Sequence, residues 1–372
     1  MTRNLQSYMR PLGAFCVACW LMTACEMQGD EVKLDNSVAI SLETELEEVL
    51  NIMSSDPQTA ISKCDEVINK AQNAASSYYM GKAMWYKAYI YDDIVEDVSK
   101  AYFGYHDALK HLKDTDDATI IAKVSNNLAI LNQYYAQYDA AASIYEEIVA
   151  DADNIEEKLL SNIYYNLGRT YKLKGDKESF FKAEAAFTMA LELAKRIGND
   201  ENIASVKNQV GLMYKDLGDY EMARIAYRNT VRTYQDADPS SDVFEYVGKA
   251  YHGIGVTYME QKQHDDAIAA FEKALLFEKS SRSIFITKYD LGSVLQDAGH
   301  IEEAIAIWKD ALSEKYNKNE RIQVEIYAKL TSALALSQNY EEAVEYAQAY
   351  NQHISEILSV GEQYKAENDE VI

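Results

Sequence analysis

Residues that could catalyse a reaction are few in this chain, and they do not form a known catalytic arrangement. None of the six histidines lies in a His-Glu-x-x-His zinc motif. His106 and His111 are five residues apart, so they fall on different faces of a helix. No nucleophile can be matched by spacing to a nearby base. The sequence therefore predicts a protein that is not an enzyme. The six histidines are His106, His111, His252, His264, His300 and His353.

Two acidic motifs and one glycine pair could bind a metal or a cofactor. The Asp-Ala-Asp motifs at residues 151–153 and 236–238 resemble the start of a calcium loop. Such a loop needs Gly at its sixth position, where this chain has Glu156 and Ser241. Gly253 and Gly255 lie within a predicted helix, whereas a dinucleotide-binding glycine loop follows a strand. We therefore expect no metal and no cofactor.

Cys25 is a candidate for covalent modification. Residues 1–24 contain two arginines, a short apolar run and no acidic residue, which is typical of a signal peptide. The run ends in the sequence LMTAC, which resembles a bacterial lipobox, where cleavage before the cysteine allows its thiol to be acylated, for example with palmitate. Met22 departs from the small or branched residue usual at its position. The alternative is an ordinary secreted protein that is cleaved near Ala24. If Cys25 is acylated instead, two or three acyl chains would anchor the protein durably in a membrane.

The charge of the chain argues against a nucleic-acid partner. Without residues 1–24, 34 Lys and Arg residues remain against 60 Asp and Glu residues, a formal charge of −26. Phosphate backbones and anionic lipid headgroups repel such a surface, apart from its lipid anchor. Residues 25–37 are polar and acidic, and they predict a short tether. Cys64 lies on the apolar side of a predicted helix, so we expect a small core residue.

The chain repeats a two-helix unit that is complete at residues 211–230. There, Gly211 and Ala223 are small where two helices must approach, and Tyr227 fills the space beside them. A single pair cannot bury its apolar face, so the pairs must stack. The small residue of the first helix recurs as Tyr89, Ala129, Gly168, Gly255, Gly292 and Thr331. The alanine of the second helix recurs as Ala101, Ala141, Ala183, Ala267, Ala304 and Ala343, and the residues four positions later are Tyr105, Tyr145, Phe187, Phe271, Trp308 and Ala347.

These residues resemble the tetratricopeptide repeat family, although the intervals of 37 to 44 residues exceed the usual repeat of about 34. The best matches combine Tyr164, Gly168 and Tyr171 with Phe187, and Tyr251, Gly255 and Tyr258 with Phe271. The resemblance covers residues 42–353. It implies an all-α, right-handed superhelical solenoid of about seven to eight helix pairs over residues 38–372, with the last helix as a polar cap.

The resemblance also implies a peptide-binding groove, lined by defined positions of each first helix. In four central repeats these positions include five basic residues and no acidic one, a local reversal in an acidic chain. Chance is one explanation, and a groove for an acidic peptide or a C-terminal carboxylate is the other. The sixteen positions are Lys123, Asn126, Ile130, Gln133, Asn162, Tyr165, Arg169, Lys172, Ser205, Asn208, Leu212, Lys215, Lys249, His252, Val256 and Met259. The predicted site is Lys123, Asn126, Tyr165, Arg169, Lys172, Asn208, Lys215, Lys249 and His252.

The resemblance and the lipobox together lead to an expected function. We expect a non-catalytic adaptor or assembly factor that binds a protein or peptide at the bacterial cell envelope. We expect the lipid anchor in the outer membrane, facing the periplasm, rather than in the inner membrane. The alternative is an extracytoplasmic sensory module that signals through a separate output protein.

Overall fold

The structure is a computed structural model that describes residues 34–313 and 320–369. Within these ranges it contains sixteen α-helices and no strand. The predicted signal peptide, Cys25 and most of the predicted tether lie outside the described residues. The first helix begins at Asn36, two residues before the start of the solenoid predicted at residue 38.

The sixteen helices alternate between the first and the second helix of a repeat, which are called A helices (odd numbers) and B helices (even numbers). The A helices are α1 (Asn36–Ile52), α3 (Ser77–Ile90), α5 (Ala118–Tyr134), α7 (Glu157–Lys174), α9 (Asp200–Asp216), α11 (Asp242–Glu260), α13 (Ser281–Ala298) and α15 (Glu320–Leu336). The B helices are α2 (Pro57–Asn73), α4 (Val98–Leu112), α6 (Tyr138–Ala150), α8 (Lys177–Arg196), α10 (Tyr220–Tyr234), α12 (His264–Phe277), α14 (Ile301–Ala311) and α16 (Tyr340–Asp369).

The described residues form two compact units. One unit contains residues 34–206, and the other contains the described residues from 207 onwards. In the first unit each helix packs on the next from α1 to α8, and A helices also contact the following A helix. In the second unit the same holds from α10 to α16, and α9 packs on α10 through Gly211 and Tyr227. The prediction of an all-α repeat solenoid fold is confirmed.

The predicted small and aromatic positions form the core between A and B helices. The B-helix alanines are fully buried from Ala101 to Ala304, and Ala343 is nearly so. The aromatic residues four positions later are also buried, from Tyr105 to Trp308. They cover A-helix glycines: a Cβ on Gly168 would lie 2.7 Å from the ring of Phe187. Glycine is required there because no side chain fits under the ring.

The first of these small positions was assigned to the wrong residue. In the structure Ala88, not Tyr89, faces α4, where a Cβ on Gly104 would lie 2.8 Å from the Ala88 Cβ. Tyr89 is half-buried, and its hydroxyl donates to the Asp93 carboxylate. The cause is a π-helical turn at Tyr91–Val95, which follows α3 and contains one residue more than an α-helical turn would. That extra residue shifts the register of α3 by one position.

Five turns between A and B helices repeat one geometry. One or two positions after the A helix a residue has a positive φ, and the next amide N–H donates to a carbonyl five residues back, as in a Schellman motif. Gly218 has φ +77°, and the Asp219 N–H donates to the Tyr214 carbonyl over 2.9 Å. Asp219 then caps α10 through its side chain. Gly218 and Asp219 therefore end α9 and begin α10.

Candidate functional site

The predicted site residues lie on the exposed side of the A helices, which is called the A-helix face. In the unit of residues 34–206 this face belongs to α1, α3, α5 and α7, which contact one another in order. In the other unit α11, α13 and α15 contact one another in the same way. The two units are described separately below.

In the first unit, Lys123 and Arg169 are cations without an acidic partner. Lys123 is exposed on α5, and Arg169 is half-buried on α7. Neither forms an ion pair with any carboxylate among residues 34–206 or elsewhere in the described chain. The Arg169 guanidinium lies 5.7 Å from the centre of the Tyr165 ring, within range of a cation–π interaction. The ring thus supports the guanidinium while its N–H groups remain available to a ligand.

Two other predicted residues of this unit are held in place by neighbouring side chains. The Asn126 side-chain oxygen accepts a hydrogen bond from the Asn166 side-chain amide over 3.0 Å. The Tyr165 hydroxyl accepts one from the Ser205 hydroxyl over 3.1 Å. Lys172 is half-buried one turn after Arg169. Asn126 and Tyr165 therefore also connect successive A helices, in addition to facing solvent.

A polar network between successive A helices was missed by the sequence analysis. The Gln133 side-chain amide donates to the Asn166 carbonyl over 3.0 Å and to the Thr170 hydroxyl. The Asn202 side-chain amide donates to the Ser161 hydroxyl over 2.8 Å. These partners are 33 to 41 residues apart, so polar residues recurring at the repeat interval are the signal that could have identified the network. It fixes the A helices against each other because buried polar groups need partners.

In the second unit the predicted cations all have acidic partners. Lys215 pairs with Asp216 over 3.0 Å, and Lys249 pairs with Glu245 over 3.5 Å. The His252 Nε2 lies 2.8 Å from the Asp290 carboxylate. Burial lowers the pKa of His252, but the hydrogen bond to Asp290 and its charge raise it more, so the pKa lies above its usual value. The Asn208 side-chain amide also has a partner within the protein, since it donates to the Tyr246 carbonyl over 2.9 Å.

Two further carboxylates in this unit, Glu278 and Glu325, accept hydrogen bonds from α13. Glu278 is buried, and the Thr287 hydroxyl donates to one of its oxygens over 2.7 Å. Burial raises the pKa of Glu278 more than the bond from Thr287 lowers it. The Tyr289 hydroxyl donates to Glu325 over 2.5 Å. The sixteen positions considered from the sequence do not include these acids. Among the predicted site residues, the cations without an acidic partner in the described part of the chain are Lys123 on α5 and Arg169 on α7.

The remaining candidates for chemistry are dispersed. Within residues 34–313 and 320–369 there is no group of three or more His, Cys, Asp or Glu side chains that could bind a metal ion. Cys64 is buried, and burial raises the pKa of its thiol to about 12. None of the helices in these ranges is both long and apolar enough to cross a membrane.

Comparison with known proteins identifies the repeats. Models of the tetratricopeptide repeat match residues 161–196, 204–232 and 248–280. No curated protein matches the sequence.

Three solved structures share the fold at low sequence identity. A tetratricopeptide repeat protein from Parabacteroides merdae is 14% identical, with a TM-score of 0.53 over 79% of this chain and 99% of that chain. The apo form of the quorum sensor NprR from B. thuringiensis is 15% identical, with a TM-score of 0.52 over 85% and 99%. A signal transduction ATPase with a tetratricopeptide repeat sensor from Pyrococcus horikoshii is 15% identical, with a TM-score of 0.53 over 88% and 54%. The repeat matches and the buried glycine and aromatic positions show that this chain contains tetratricopeptide repeats, and the three solved structures share its all-α repeat fold.

Proposed function

We propose that this protein binds an extended, acidic segment of another protein on the A-helix face of α5 and α7, and that it acts as a non-catalytic adaptor or assembly factor. The tetratricopeptide fold supports a protein-binding role, because repeats of this kind present extended binding surfaces. The observation that carries the proposal is the pair of cations without acidic partners, Lys123 and Arg169, in a chain of net charge −24.

The chemistry of these two residues favours a carboxylate ligand. An arginine guanidinium donates two parallel hydrogen bonds to one carboxylate, and its stacking on Tyr165 limits the freedom lost on binding. Lys123 adds a second, exposed positive charge. A hydrogen bond to a charged group contributes about 1.5 to 3 kcal/mol when it is desolvated. Acidic side chains or a C-terminal carboxylate in an extended peptide would satisfy both residues.

We also propose that the protein is attached to the cell envelope, and this part of the proposal rests on the sequence. The LMTAC sequence that ends at Cys25 supports lipidation, and lipidation supports attachment to the bacterial envelope. We place the anchor in the outer membrane, with the repeats in the periplasm. An acidic protein held at that membrane would meet exported proteins without binding the lipid headgroups nonspecifically.

The proposal is tested by charge reversal on α5 and α7. Partners of the wild-type protein would first be captured from envelope extract, and the affinity of the purified partner would then be measured by titration calorimetry. Lys123→Glu with Arg169→Glu should weaken binding at least tenfold, equivalent to about 1.4 kcal/mol, and Arg169→Glu with Lys172→Glu should act in the same direction. Lys215→Glu with Lys249→Glu is the matched control because these lysines already have acidic partners.

The control variant distinguishes binding on α5 and α7 from nonspecific attraction of the partner to positive charge. Unchanged affinity in the Lys123 and Arg169 variant, at unchanged helicity by circular dichroism, contradicts binding at this face. An equal loss in both double variants would show nonspecific attraction of the partner to positive charge. Higher salt should weaken the specific complex as well, because the contacts are partly exposed.

A sensory module is the second candidate. It is favoured by the similar solved structures, of which one is a quorum sensor and another contains a repeat sensor. In that case the A-helix face would bind a signalling peptide, and a separate output protein would respond. A transducer that co-purifies only in the presence of the peptide would favour the sensor over the adaptor.

A further inference from the structure

An open groove of about 320 Å³ lies between α12, the end of α13 and the start of α14, in the second unit. We call it the α12–α14 groove. Its apolar lining consists of Ile268, Ala269 and Leu295. Its polar lining is exposed and consists of Asp265, Glu272, His300 and Glu303. The groove therefore presents an apolar surface beside three carboxylates, and its lining includes no lysine or arginine from the described part of the chain.

Two of these carboxylates have no partner for their charge. Asp265 and Glu272 form no hydrogen bond or ion pair with any residue in the ranges 34–313 and 320–369. Glu303 lies 3.1 Å from the His300 Nδ1, and that histidine is charged only when it is protonated. Because the three carboxylates face the same open space, all of them would attract a positively charged group in the groove.

The repeat of α6 has the same two acids, but there the chain supplies their partners. Asp139 and Glu146 lie two residues before and five residues after the B-helix alanine, the same positions as the two unpaired acids of α12. The Lys174 Nζ lies 2.5 Å from the Asp139 carboxylate, and the Tyr171 hydroxyl donates to Glu146. Both partners belong to the end of α7, the following A helix.

The end of α13 cannot supply these partners. The residues that correspond to Tyr171 and Lys174, three and six positions after the A-helix glycine, are Leu295 and Ala298. Neither side chain carries a charge or a hydrogen-bond donor. The α12 repeat therefore has both acids of the α6 repeat and neither of their partners.

The remaining repeats either provide a cation at this place or have no acid there. On α2, the Asp65 carboxylate lies 2.6 Å from the Lys87 Nζ of α3. On α14, the Lys309 Nζ lies 2.5 Å from Glu342. On α4 and α8 the two positions are occupied by residues other than Asp and Glu. Of the B helices that an A helix follows in the described chain, α12 is therefore the one with acids at this place and no cation.

The repeat of α10 shows how an arginine side chain fits this place. Arg224 occupies the position that corresponds to Ile268, directly after the B-helix alanine, and it is only 7% exposed. Its guanidinium lies 4.7 Å from the centre of the Tyr258 ring of α11 and donates to the Glu221 carboxylate over 2.7 Å. Tyr258 corresponds to Leu295. An arginine can therefore lie between a B helix and the following A helix, with its guanidinium beside the acid.

We propose that the α12–α14 groove binds an arginine side chain from an exposed basic segment of another protein. The aliphatic part of the arginine packs on Ile268 and Leu295, and its guanidinium donates to the carboxylates of Asp265 and Glu272. Arginine suits the groove because it combines an apolar stem with five N–H donors. This site uses different helices from the proposed acidic-segment site on α5 and α7, and neither proposal depends on the other.

The experiment uses the full chain and two short designed peptides, each blocked at both ends and fluorescently labelled. One peptide contains two arginines beside leucines. The other has citrulline in place of each arginine, which keeps the shape of the side chain and removes its charge. Fluorescence anisotropy is measured for both peptides at physiological salt. We expect the arginine peptide to bind about tenfold or more tightly than the citrulline peptide, because its contacts to the carboxylates are charge-assisted.

A pair of double variants separates binding in the groove from nonspecific attraction to an acidic protein. Asp265→Asn with Glu272→Gln removes two negative charges from the groove and should weaken binding of the arginine peptide about tenfold. Asp266→Asn with Glu302→Gln is the matched control. It removes the same charge from exposed residues of α12 and α14 that do not line the groove. This control should change the affinity by less than about twofold, because exposed charges outside the contact are screened by salt.

A second variant fills the groove without removing an acid. Ile268→Arg places an arginine where the α10 repeat has Arg224, so the new side chain should compete with the peptide and weaken its binding about tenfold. Leu276→Arg is its matched control, since Leu276 is 74% exposed on α12 and the change adds the same charge outside the groove. Circular dichroism should show unchanged helicity in both variants.

Three outcomes overturn the proposal. Equal losses of affinity in the two double variants, or in Ile268→Arg and Leu276→Arg, would show that the peptide is attracted to the acidic protein without using the groove. Equal affinity for the arginine and citrulline peptides would show that the groove does not select a positive charge. A concentration-dependent dimer in analytical ultracentrifugation that Ile268→Arg abolishes would show that a second copy of the chain occupies the groove.

Discussion

The ring of Phe271 lies directly against the backbone of Gly255, so closely that a Cβ on Gly255 would be 2.7 Å from two ring carbons. Phe271 is fully buried by this contact. The same relationship joins Gly211 to Tyr227 and Gly168 to Phe187. These three repeats therefore hold their A and B helices together by placing an aromatic ring where the A helix has no side chain. The stability of the repeat should depend on the absence of that side chain.

Replacing Gly255 by leucine should destabilise the protein strongly. The new side chain must displace the Phe271 ring, and overpacking of this kind costs about 1 to 3 kcal/mol or more. The measurement is the urea midpoint of unfolding, followed by circular dichroism. Glu272→Ala on the exposed side of α12 is the control and should change stability by less than about 0.5 kcal/mol. Equal midpoints for the two variants would contradict the placement of Gly255 under the ring.

The turns between A and B helices allow a stabilising substitution. Ala136 occupies the left-handed position after α5 with φ +57°, where Gly218 has φ +77° after α9. The left-handed conformation costs an L-residue about 1 to 2 kcal/mol, and glycine avoids that cost. Ala136→Gly should therefore raise the free energy of unfolding by about 1 kcal/mol or slightly less, despite the greater freedom of glycine in the unfolded chain. Thermal or urea unfolding measures the change.

The reverse substitution is the control for the turn. No atom lies within 4 Å of a Cβ built on Gly218, so Gly218→Ala introduces backbone strain without a steric clash. It should lower stability by about 1 kcal/mol, opposite in sign to Ala136→Gly. Changes of the same sign in both variants would mean that burial, and not the left-handed φ, determines the preference for glycine at these turns.

The sequence predicted the repeat well where large and small residues alternate at fixed spacing. Gly211, Ala223 and Tyr227 identified the packing of α9 on α10 because close helix approach leaves few residue types possible. The assignment of Tyr89 was wrong because a π-helical turn adds a residue without changing the residue pattern. Periodicity alone cannot reveal an insertion that the helix absorbs internally.

The candidate site was harder to predict, because charge on a helix face depends on neighbours that are far away in sequence. His252 was counted as part of a basic groove, yet it pairs with Asp290, 38 residues later. Arg169 was assigned to the same groove, and it has no acidic partner among residues 34–313 and 320–369. The type and spacing of these two residues do not distinguish them. Only the packing of successive A helices determines which cation is neutralised.

Acylation of Cys25 is a prediction from the sequence that can be tested directly. Cys25→Ala should abolish labelling of the protein by a palmitate analogue, because the thiol that would be acylated is absent. Cys64→Ala is the matched control and should retain the label, since Cys64 is buried and its raised thiol pKa keeps it protonated. Mass spectrometry of the mature N-terminus would locate the modification. Full labelling of Cys25→Ala would contradict the lipoprotein assignment.

The pairing of His252 with Asp290 should make stability depend on pH in a defined direction. The pKa of His252 is raised above 6.5 because the hydrogen bond and charge of Asp290 outweigh the opposing effect of burial. The buried carboxyl of Glu278 favours the charged histidine as well, and Lys215 opposes it. The folded state therefore binds the proton more tightly than the unfolded state. The stability gained is fully present below about pH 6.5, and it is lost as the pH rises through the folded-state pKa.

The His252→Gln variant lacks this pH-dependent contribution to stability. The contribution is therefore the difference in stability between the wild type and the variant. Wild-type stability minus that of His252→Gln should be larger at pH 6 than at pH 8.5, measured from urea midpoints at constant ionic strength. Asp290→Asn is the informative second variant, because burial then acts on His252 without its main partner. The gain at pH 6 should disappear and reverse in sign, since a buried imidazole without a carboxylate prefers the neutral form. A wild-type difference that grows as the pH rises would show that burial, and not Asp290, controls the protonation of His252.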